Sequence, residues 1–155
     1  MGDQQVVDQL NLMVATAADL RSQVKQAHWT VVGPNFIALH KLFDEVAEVL
    51  LAHVDLYAER VRALQAIPMG TVRNAAECSP LEDLPIGEIE EQECLHLLVD
   101  RFESYSEALT KAIELCDKAE DLTTQDIFIA GQQQTDLQAY FLRSHLPAEG
   151  AQRGR

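Results

Sequence analysis

The chain has 155 residues, of which 47% are apolar and 24% are charged. These values indicate one soluble globular domain, residues 1–155, and exclude a disordered or low-complexity chain. Its 12 basic and 25 acidic residues give a formal net charge of −13, which argues against broad contact with nucleic-acid phosphates or anionic membranes. Because no apolar run could span a bilayer and the N-terminus lacks a basic signal-peptide region, we expect a cytoplasmic protein.

Apolar residues recur at helical spacing in four long segments. The predicted helices span about 4–31, 36–64, 86–117 and 124–146, and a frayed C-terminal tail is predicted for 147–155. Gly33 and Pro34 separate the first two helices, because both residues favour turns. The third helix is predicted to begin after Pro85, where glutamates suit a first turn.

The lengths of the connections predict how the helices are arranged. Short turns make the first and second helices one antiparallel hairpin and the third and fourth another. Residues 65–85 hold three of the five prolines and form a long connection with one short helix near 72–78. A connection of this length can return along the bundle, which predicts an all-α, ferritin-like four-helix bundle with one crossover. An up-down-up-down bundle with a long loop is the alternative.

Five side chains of metal-ligand type lie between positions 28 and 59. They are two imidazoles and three carboxylates: His28, His40, Asp44, Asp55 and Glu59. Imidazole and carboxylate are ligands for iron and also for zinc. At about 100° per residue, the four on the second helix fall within one stripe of roughly 100°. This pattern predicts a metal site, which we interpret as a site for iron.

Distance along the helix divides this set into two halves. Asp44 and Asp55 are eleven residues apart, so about 16 Å separates them along the axis at 1.5 Å per residue. A single helix cannot close one metal site with both pairs. A second copy, packed antiparallel across a two-fold axis, would bring His40 and Asp44 of one chain to Asp55 and Glu59 of the other. The chemistry therefore predicts self-association.

The first hairpin is expected to bring the imidazole of His28 to the half-site that contains His40. His28 lies six residues before Pro34 and His40 lies six residues after it. Folding of the hairpin should therefore bring the two imidazoles to the same level. Two imidazoles and three carboxylates could hold two adjacent metal ions with positions open for an oxidant.

Several short motifs resemble the Dps family, the miniferritins named for DNA protection during starvation. They are HW at His28, GPNFIALH from Gly33, FD at Phe43, DxxxER from Asp55 and DIFIA from Asp126. The resemblance covers nearly the whole chain. It implies a dodecameric shell, ferroxidase sites at two-fold dimer interfaces, oxidation of Fe(II) preferably by hydrogen peroxide, storage of ferric mineral and protection against oxidative damage.

The resemblance also implies a role for each ligand. Asp55 and Glu59 of one subunit, with His28 of its neighbour, would hold the tighter metal. His40 and Asp44, with Glu59 bridging, would hold the second metal. At the start of the fourth helix, Asp121 and Asp126 are candidates for a pore that admits ions, with helix capping as the favoured role of Asp126.

The chain departs from the family in its expected contact with DNA. Members that coat DNA commonly use Lys-rich N-terminal tails, whereas this chain has no Lys or Arg before Arg21. Only Arg153 and Arg155 add positive charge at the C-terminus, so we expect weak or absent DNA binding. The alternatives to a ferroxidase are a zinc-occupied metal buffer and a nucleoid-associated protein.

Overall fold

The computed structural model describes residues 3–148. Its helices are α1 (Gln4–Thr30), α2 (Phe36–Ala63), α3 (Val72–Cys78), α4 (Glu91–Lys118) and α5 (Leu122–Arg143). Two short strands, β1 (Val31–Val32) and β2 (Ile89–Glu90), lie in the connections. The four long helices form the predicted bundle and α3 is the predicted short helix, so the predicted all-α architecture is confirmed. Within the described residues, none of the helices is long and apolar enough to cross a membrane.

The two strands fix the direction of the crossover. β1 pairs with β2 in parallel, with Val31 opposite Ile89. Because β1 follows α1 and β2 precedes α4, this pairing places the start of α4 beside the end of α1, where α2 also begins. α2 and α4 therefore run in the same direction, and residues 64–90 return along the length of the bundle. This one-crossover arrangement excludes the up-down-up-down alternative.

The core lies between the apolar faces of the four long helices. Its largest fully buried side chains include two tyrosines, three phenylalanines and many leucines. On α1 the buried residues recur at spacings of three and four, as in Val6, Leu10, Met13 and Ala17. Burial of this continuous apolar stripe stabilises α1, since most of the stability of a protein helix comes from the packing of its apolar face.

The predicted start of the third long helix at residue 86 is wrong. Ile89 and Glu90 are extended and pair with β1, and α4 begins only at Glu91. Gly87 has φ +143°, which is incompatible with a helix at that position. Glu90 is the N-cap, and its carboxylate accepts hydrogen bonds from the backbone N–H groups of Gln92 and Glu93. Glu90 therefore caps the helix from outside, while Glu91 and Glu93 lie in its first turn, as expected of an acid-rich helix start.

The predicted bounds of the last helix are also corrected. α5 begins at Leu122, and its N-cap is Asp121, whose carboxylate accepts from the backbone N–H of Thr124. Asp126 is exposed within the helix and does not cap it. Asp121 also accepts a 3.0 Å hydrogen bond from Arg60 of α2, so it is tied down by an ion pair. The helix ends at Arg143, three residues before the predicted end, and residues 149–155 of the predicted tail lie outside the described part of the chain.

A buried carboxylate holds the turn between α1 and α2. Glu91 is only 7% exposed. It accepts hydrogen bonds from the backbone N–H of Asn35, at 2.9 Å, and from the Asn35 side-chain amide, at 2.8 Å. Gly33 has φ +148°, and a Cβ there would lie 2.6 Å from Glu91 Oε2. We call this group, formed by Gly33, Asn35 and Glu91, the turn clamp.

The turn clamp predicts that Gly33→Ala destabilises the protein more than Gly87→Ala. Both glycines have φ values near +145°, which cost other residues about 1–3 kcal/mol, but only Gly33 would also press a methyl group against Glu91. Gly87 has open space around it and is the matched control. Thermal unfolding of the two variants should give a lower Tm for Gly33→Ala; equal values would contradict the clamp.

Candidate metal centre

The α1–α2 hairpin brings the two predicted imidazoles into contact. His28 lies in the last turn of α1 and is 8% exposed, and His40 lies in the second turn of α2. Their ring centroids are 3.7 Å apart and their planes are 16° apart, so the rings stack. The hairpin prediction that these two residues lie at the same level is confirmed.

Reciprocal hydrogen bonds fix the orientation of both rings. His28 Nδ1 lies 2.6 Å from the backbone carbonyl oxygen of His40, and His40 Nδ1 lies 2.8 Å from that of His28. A carbonyl oxygen only accepts, so each Nδ1 carries a proton and donates it. In the neutral rings the lone pair is then on Nε2, which is free to bind a metal. Hydrogen bonds of this kind commonly orient metal-binding histidines in proteins.

Asp44 lies one turn beyond His40 and is exposed. It shares an open surface depression with His28, His40 and Glu48. The Lys25 ammonium lies 2.6 Å from Asp44 Oδ1, and this hydrogen bond lowers the pKa of the carboxyl below its usual value. Asp44 is therefore ionised at neutral pH, but a cation of the chain already neutralises it.

Asp55 and Glu59 are exposed on the same helix, three to four turns after Asp44. The chain thus brings His28, His40 and Asp44 to one depression and leaves Asp55 and Glu59 apart from them. Within residues 3–148 of one chain, no three His, Cys, Asp or Glu side chains converge closely enough to hold a metal ion. This distribution is the one expected of two half-sites.

Apolar side chains are exposed on α1 and α2 near the predicted ligand positions. Trp29 is 66% exposed, and three aliphatic side chains on α2 are also exposed: Ile37, Leu51 and Leu56. Leu51 lies between the two halves along α2. An apolar surface rimmed by charged residues is typical of a contact with another protein.

Comparison with known proteins gives the family. The ferritin-like domain model matches residues 7–148. The chain is 35% identical over 141 residues to the DNA protection during starvation protein of Agrobacterium fabrum, covering 91% of this chain and 87% of that one. The chain belongs to the Dps family. A Dps protein of the same name from Mycolicibacterium smegmatis is 32% identical, covering 95% of this chain and 80% of its own length.

Solved Dps structures have the same fold. The crystal structure of Dps from Staphylococcus aureus superposes with a TM-score of 0.89 at 32% identity, covering 94% of this chain and 97% of that chain. The Dps resemblance inferred from HW, GPNFIALH and the acidic motifs is therefore confirmed.

Two features of the site were missed by the sequence reasoning. Lys25 precedes His28 by three residues, so helical spacing alone places it on the same side of α1. Its partner Asp44 could not be identified without the packing of the hairpin. The reciprocal imidazole–carbonyl bonds have no sequence signal, because each uses a backbone acceptor.

The Lys25–Asp44 ion pair predicts that Lys25→Met strengthens binding of the second metal ion. A metal at Asp44 must displace the ammonium, and methionine removes this competitor while keeping an unbranched side chain beside Trp29. Calorimetric titration with Zn(II) should show the weaker binding step tightened by a few-fold, the effect of one exposed ion pair. Lys41→Met, which removes a charge from the same depression, is the control. Equal changes in the two variants would show that net charge, not the ion pair, is responsible.

Proposed function

We propose that this Dps protein is a ferroxidase and iron-storage miniferritin that oxidises Fe(II), preferably with hydrogen peroxide. The observation that carries the proposal is the pair of stacked imidazoles, whose reciprocal hydrogen bonds use Nδ1 and leave Nε2 as the ligand atom, beside an ionised carboxylate. The Dps relatives support an iron-storage role. Zinc fits the same donor types, and it would occupy the site without turnover because Zn(II) has no redox chemistry.

In the proposed site, each chain supplies two halves to different centres. His28, His40 and Asp44 of one subunit face Asp55 and Glu59 of its partner, with helices α2 antiparallel across a two-fold axis. Asp55, Glu59 and His28 hold the first Fe(II). His40 and Asp44, with Glu59 bridging, hold the second. The assembly is a homo-oligomer, and we propose a dodecameric shell that encloses the ferric mineral.

The residues of this chain perform three tasks in the reaction. The reciprocal hydrogen bonds hold both rings in a fixed orientation through Nδ1, so that Nε2 of each ring is the ligand atom. The carboxylates of Asp44, Asp55 and Glu59 balance the charge that increases when Fe(II) becomes Fe(III). Two adjacent ferrous ions each give one electron to one peroxide molecule, so that reduction to water does not release hydroxyl radical.

Complementation between inactive variants tests the intersubunit site. His40→Gln with Asp44→Asn removes one half, and Asp55→Ala with Glu59→Ala removes the other. Each variant alone should oxidise Fe(II) slowly. The two variants are then co-expressed, each with its own tag, and shells that carry both tags are purified. These mixed shells should regain about a quarter of the wild-type initial rate, because half of randomly paired dimers are mixed and each mixed dimer has one intact centre.

The outcome of the complementation separates the two possible arrangements. A site built within one chain would gain nothing from mixing, since every chain lacks one half. Shells of each variant alone, carrying both tags, control for the effect of co-expression.

Peroxide consumption measured in the same samples should approach about one molecule for two ferrous ions in wild-type shells, with the iron retained as soluble ferric core.

DNA binding is expected to be weak or absent. Before Arg21 the chain has no basic residue, and the described part of this segment carries Asp3 and Asp8. Arg153 and Arg155 lie outside the described residues. In a gel-shift titration, duplex DNA should show no retardation at physiological salt, and any binding at low salt should disappear steeply as salt rises. Tight binding that persists at high salt would contradict this expectation.

A further inference from the structure

Apolar side chains are exposed at two places on the crossover between α2 and α4. Ile67, Met69 and Val72 form the first group and Ile86 is the second, and Val72 and Ile86 are 86% and 87% exposed. Neighbouring large apolar side chains that are left in water usually mark a contact with another molecule. We call residues 67–72 the apolar segment.

Ile86 borders an open recess on the outer surface of α1. The recess has a volume of about 640 Å³, and the side chains of Trp29, Leu84 and Ile86 give it an apolar wall. Arg21 and Asp83 are among the charged residues that line the rest of it. We call it the Trp29 recess. Its apolar wall suits an apolar side chain, because burial of apolar surface is favourable.

Asn11 holds the apolar segment on the face of α1 that also carries the recess. Its side-chain amide donates a 3.2 Å hydrogen bond to the Ile67 carbonyl oxygen, and its Oδ1 accepts a 2.9 Å bond from the Met69 N–H. Asn11 and Trp29 are 18 residues apart, which is five turns at 3.6 residues per turn, so they lie on one face. About 22 Å along α1 separates Asn11 from Gln26, which lines the recess. The segment therefore cannot fill the recess of its own chain.

The proposed metal site fixes the level of the two-fold axis. On α2 the two half-sites are centred on positions 42 and 57, so an antiparallel partner places the axis half-way between them, at position 49–50. His28 and His40 stack at one level on α1 and α2. Because position 49–50 is nine to ten residues beyond His40, the axis passes α1 nine to ten residues before His28, between positions 18 and 19.

An antiparallel partner reverses the levels on α1 about this axis. Asn11 lies about 11 Å from the axis level on one side, and Gln26 lies about 11 Å from it on the other. Asn11 of the partner subunit therefore comes to the level of Gln26. The apolar segment that it holds reaches the Trp29 recess, since both lie on the same face of α1. The two-fold axis makes this contact twice, so both exposed surfaces of each chain are covered.

We propose that the Trp29 recess of one subunit holds the apolar segment of its two-fold partner, and that Ile67 in this contact is a positioning residue for the intersubunit metal site. The inference rests on the proposed function, which supplies the antiparallel register. Slippage of the two α2 helices by one turn would move the facing half-sites about 5 Å apart, whereas a metal–ligand bond is about 2 Å long. A side chain seated in a recess prevents that slippage.

Cross-linking tests the contact without iron. Gln26→Cys and Ile67→Cys are introduced into one chain together with Cys78→Ser, which removes the exposed native thiol and leaves the two buried ones. Treated with a short bis-maleimide and a metal chelator, the assembled protein should give covalent dimers on a denaturing gel. A link within one chain is out of reach, because its two thiols are about 22 Å apart along α1.

Leu122 supplies the matched control. It is 70% exposed and Ile67 is 71% exposed, but Leu122 lies at the start of α5. The pair Gln26→Cys and Leu122→Cys should remain monomeric on the same gel, and Cys78→Ser alone measures the background from the buried thiols. Equal dimer yields from the two pairs, or no dimers from the pair at positions 26 and 67, would overturn the proposed contact.

Trp29 reports directly on whether the recess is covered, because it is the sole tryptophan of the chain. It is exposed in one chain, and in the assembled protein Ile67 of the partner subunit should shield it from acrylamide. Ile67→Asp should make acrylamide quenching several-fold stronger, whereas Ile67→Leu should leave quenching near the wild-type value. Wild-type quenching in Ile67→Asp would contradict the contact.

Iron oxidation by the same two variants tests the positioning role. Ile67→Asp should lower the initial rate several-fold, and Ile67→Leu should restore it, with the helix content of both unchanged by circular dichroism. A wild-type rate in Ile67→Asp would overturn the positioning role. Covalent dimers from the pair at positions 26 and 67, in a protein that does not oxidise iron, would keep the contact and reject the ferroxidase. Iron oxidation by the wild type without such dimers would reject the contact and keep the ferroxidase.

Discussion

Two hydrogen bonds between imidazoles and backbone carbonyls join the ends of α1 and α2, and the candidate metal centre depends on them. Each uses Nδ1 of one histidine and the carbonyl oxygen of the other, so neither ring can rotate without breaking a bond. They fix the register of the two helices and leave both Nε2 atoms available at the same time. The turn clamp acts on the same end of the hairpin through the buried Glu91 carboxylate. The same contacts therefore determine both the orientation of the two imidazoles and the geometry of the hairpin.

The periodicity of the sequence was sufficient to predict the bundle, because apolar spacing and proline placement both act locally. The same reasoning failed at residues 86–90, where Ile89 and Glu90 pair with β1 instead of continuing a helix. That pairing is non-local, and two residues are too few to give a strand pattern. The sequence analysis also assigned the capping role to the wrong residue, Asp126. The N-cap is Asp121, which Arg60 of a distant helix holds in place, and a local motif such as Thr123-Thr124-Gln125-Asp126 cannot reveal that contact.

For the candidate site, sequence spacing divided the predicted ligands into two halves, because the rise per residue along a helix is fixed. It could not find Lys25 as the partner of Asp44, since that contact joins different helices. Membership in the Dps family could be inferred from the sequence because the family's motifs are short and local, most of them in the α1–α2 hairpin and one in α5.

The hairpin and the crossover differ in how much chain must be ordered before they form. The bonds between His28 and His40 join residues 12 positions apart, whereas Glu91 and Asn35 are 56 apart. Closing the longer loop costs about 1.4 kcal/mol more in chain entropy, which lowers the odds of closure roughly tenfold. We therefore expect the α1–α2 hairpin to form before the crossover docks onto it. In that order the two imidazoles come into register through short-range contacts alone, independently of the long-range part of the chain.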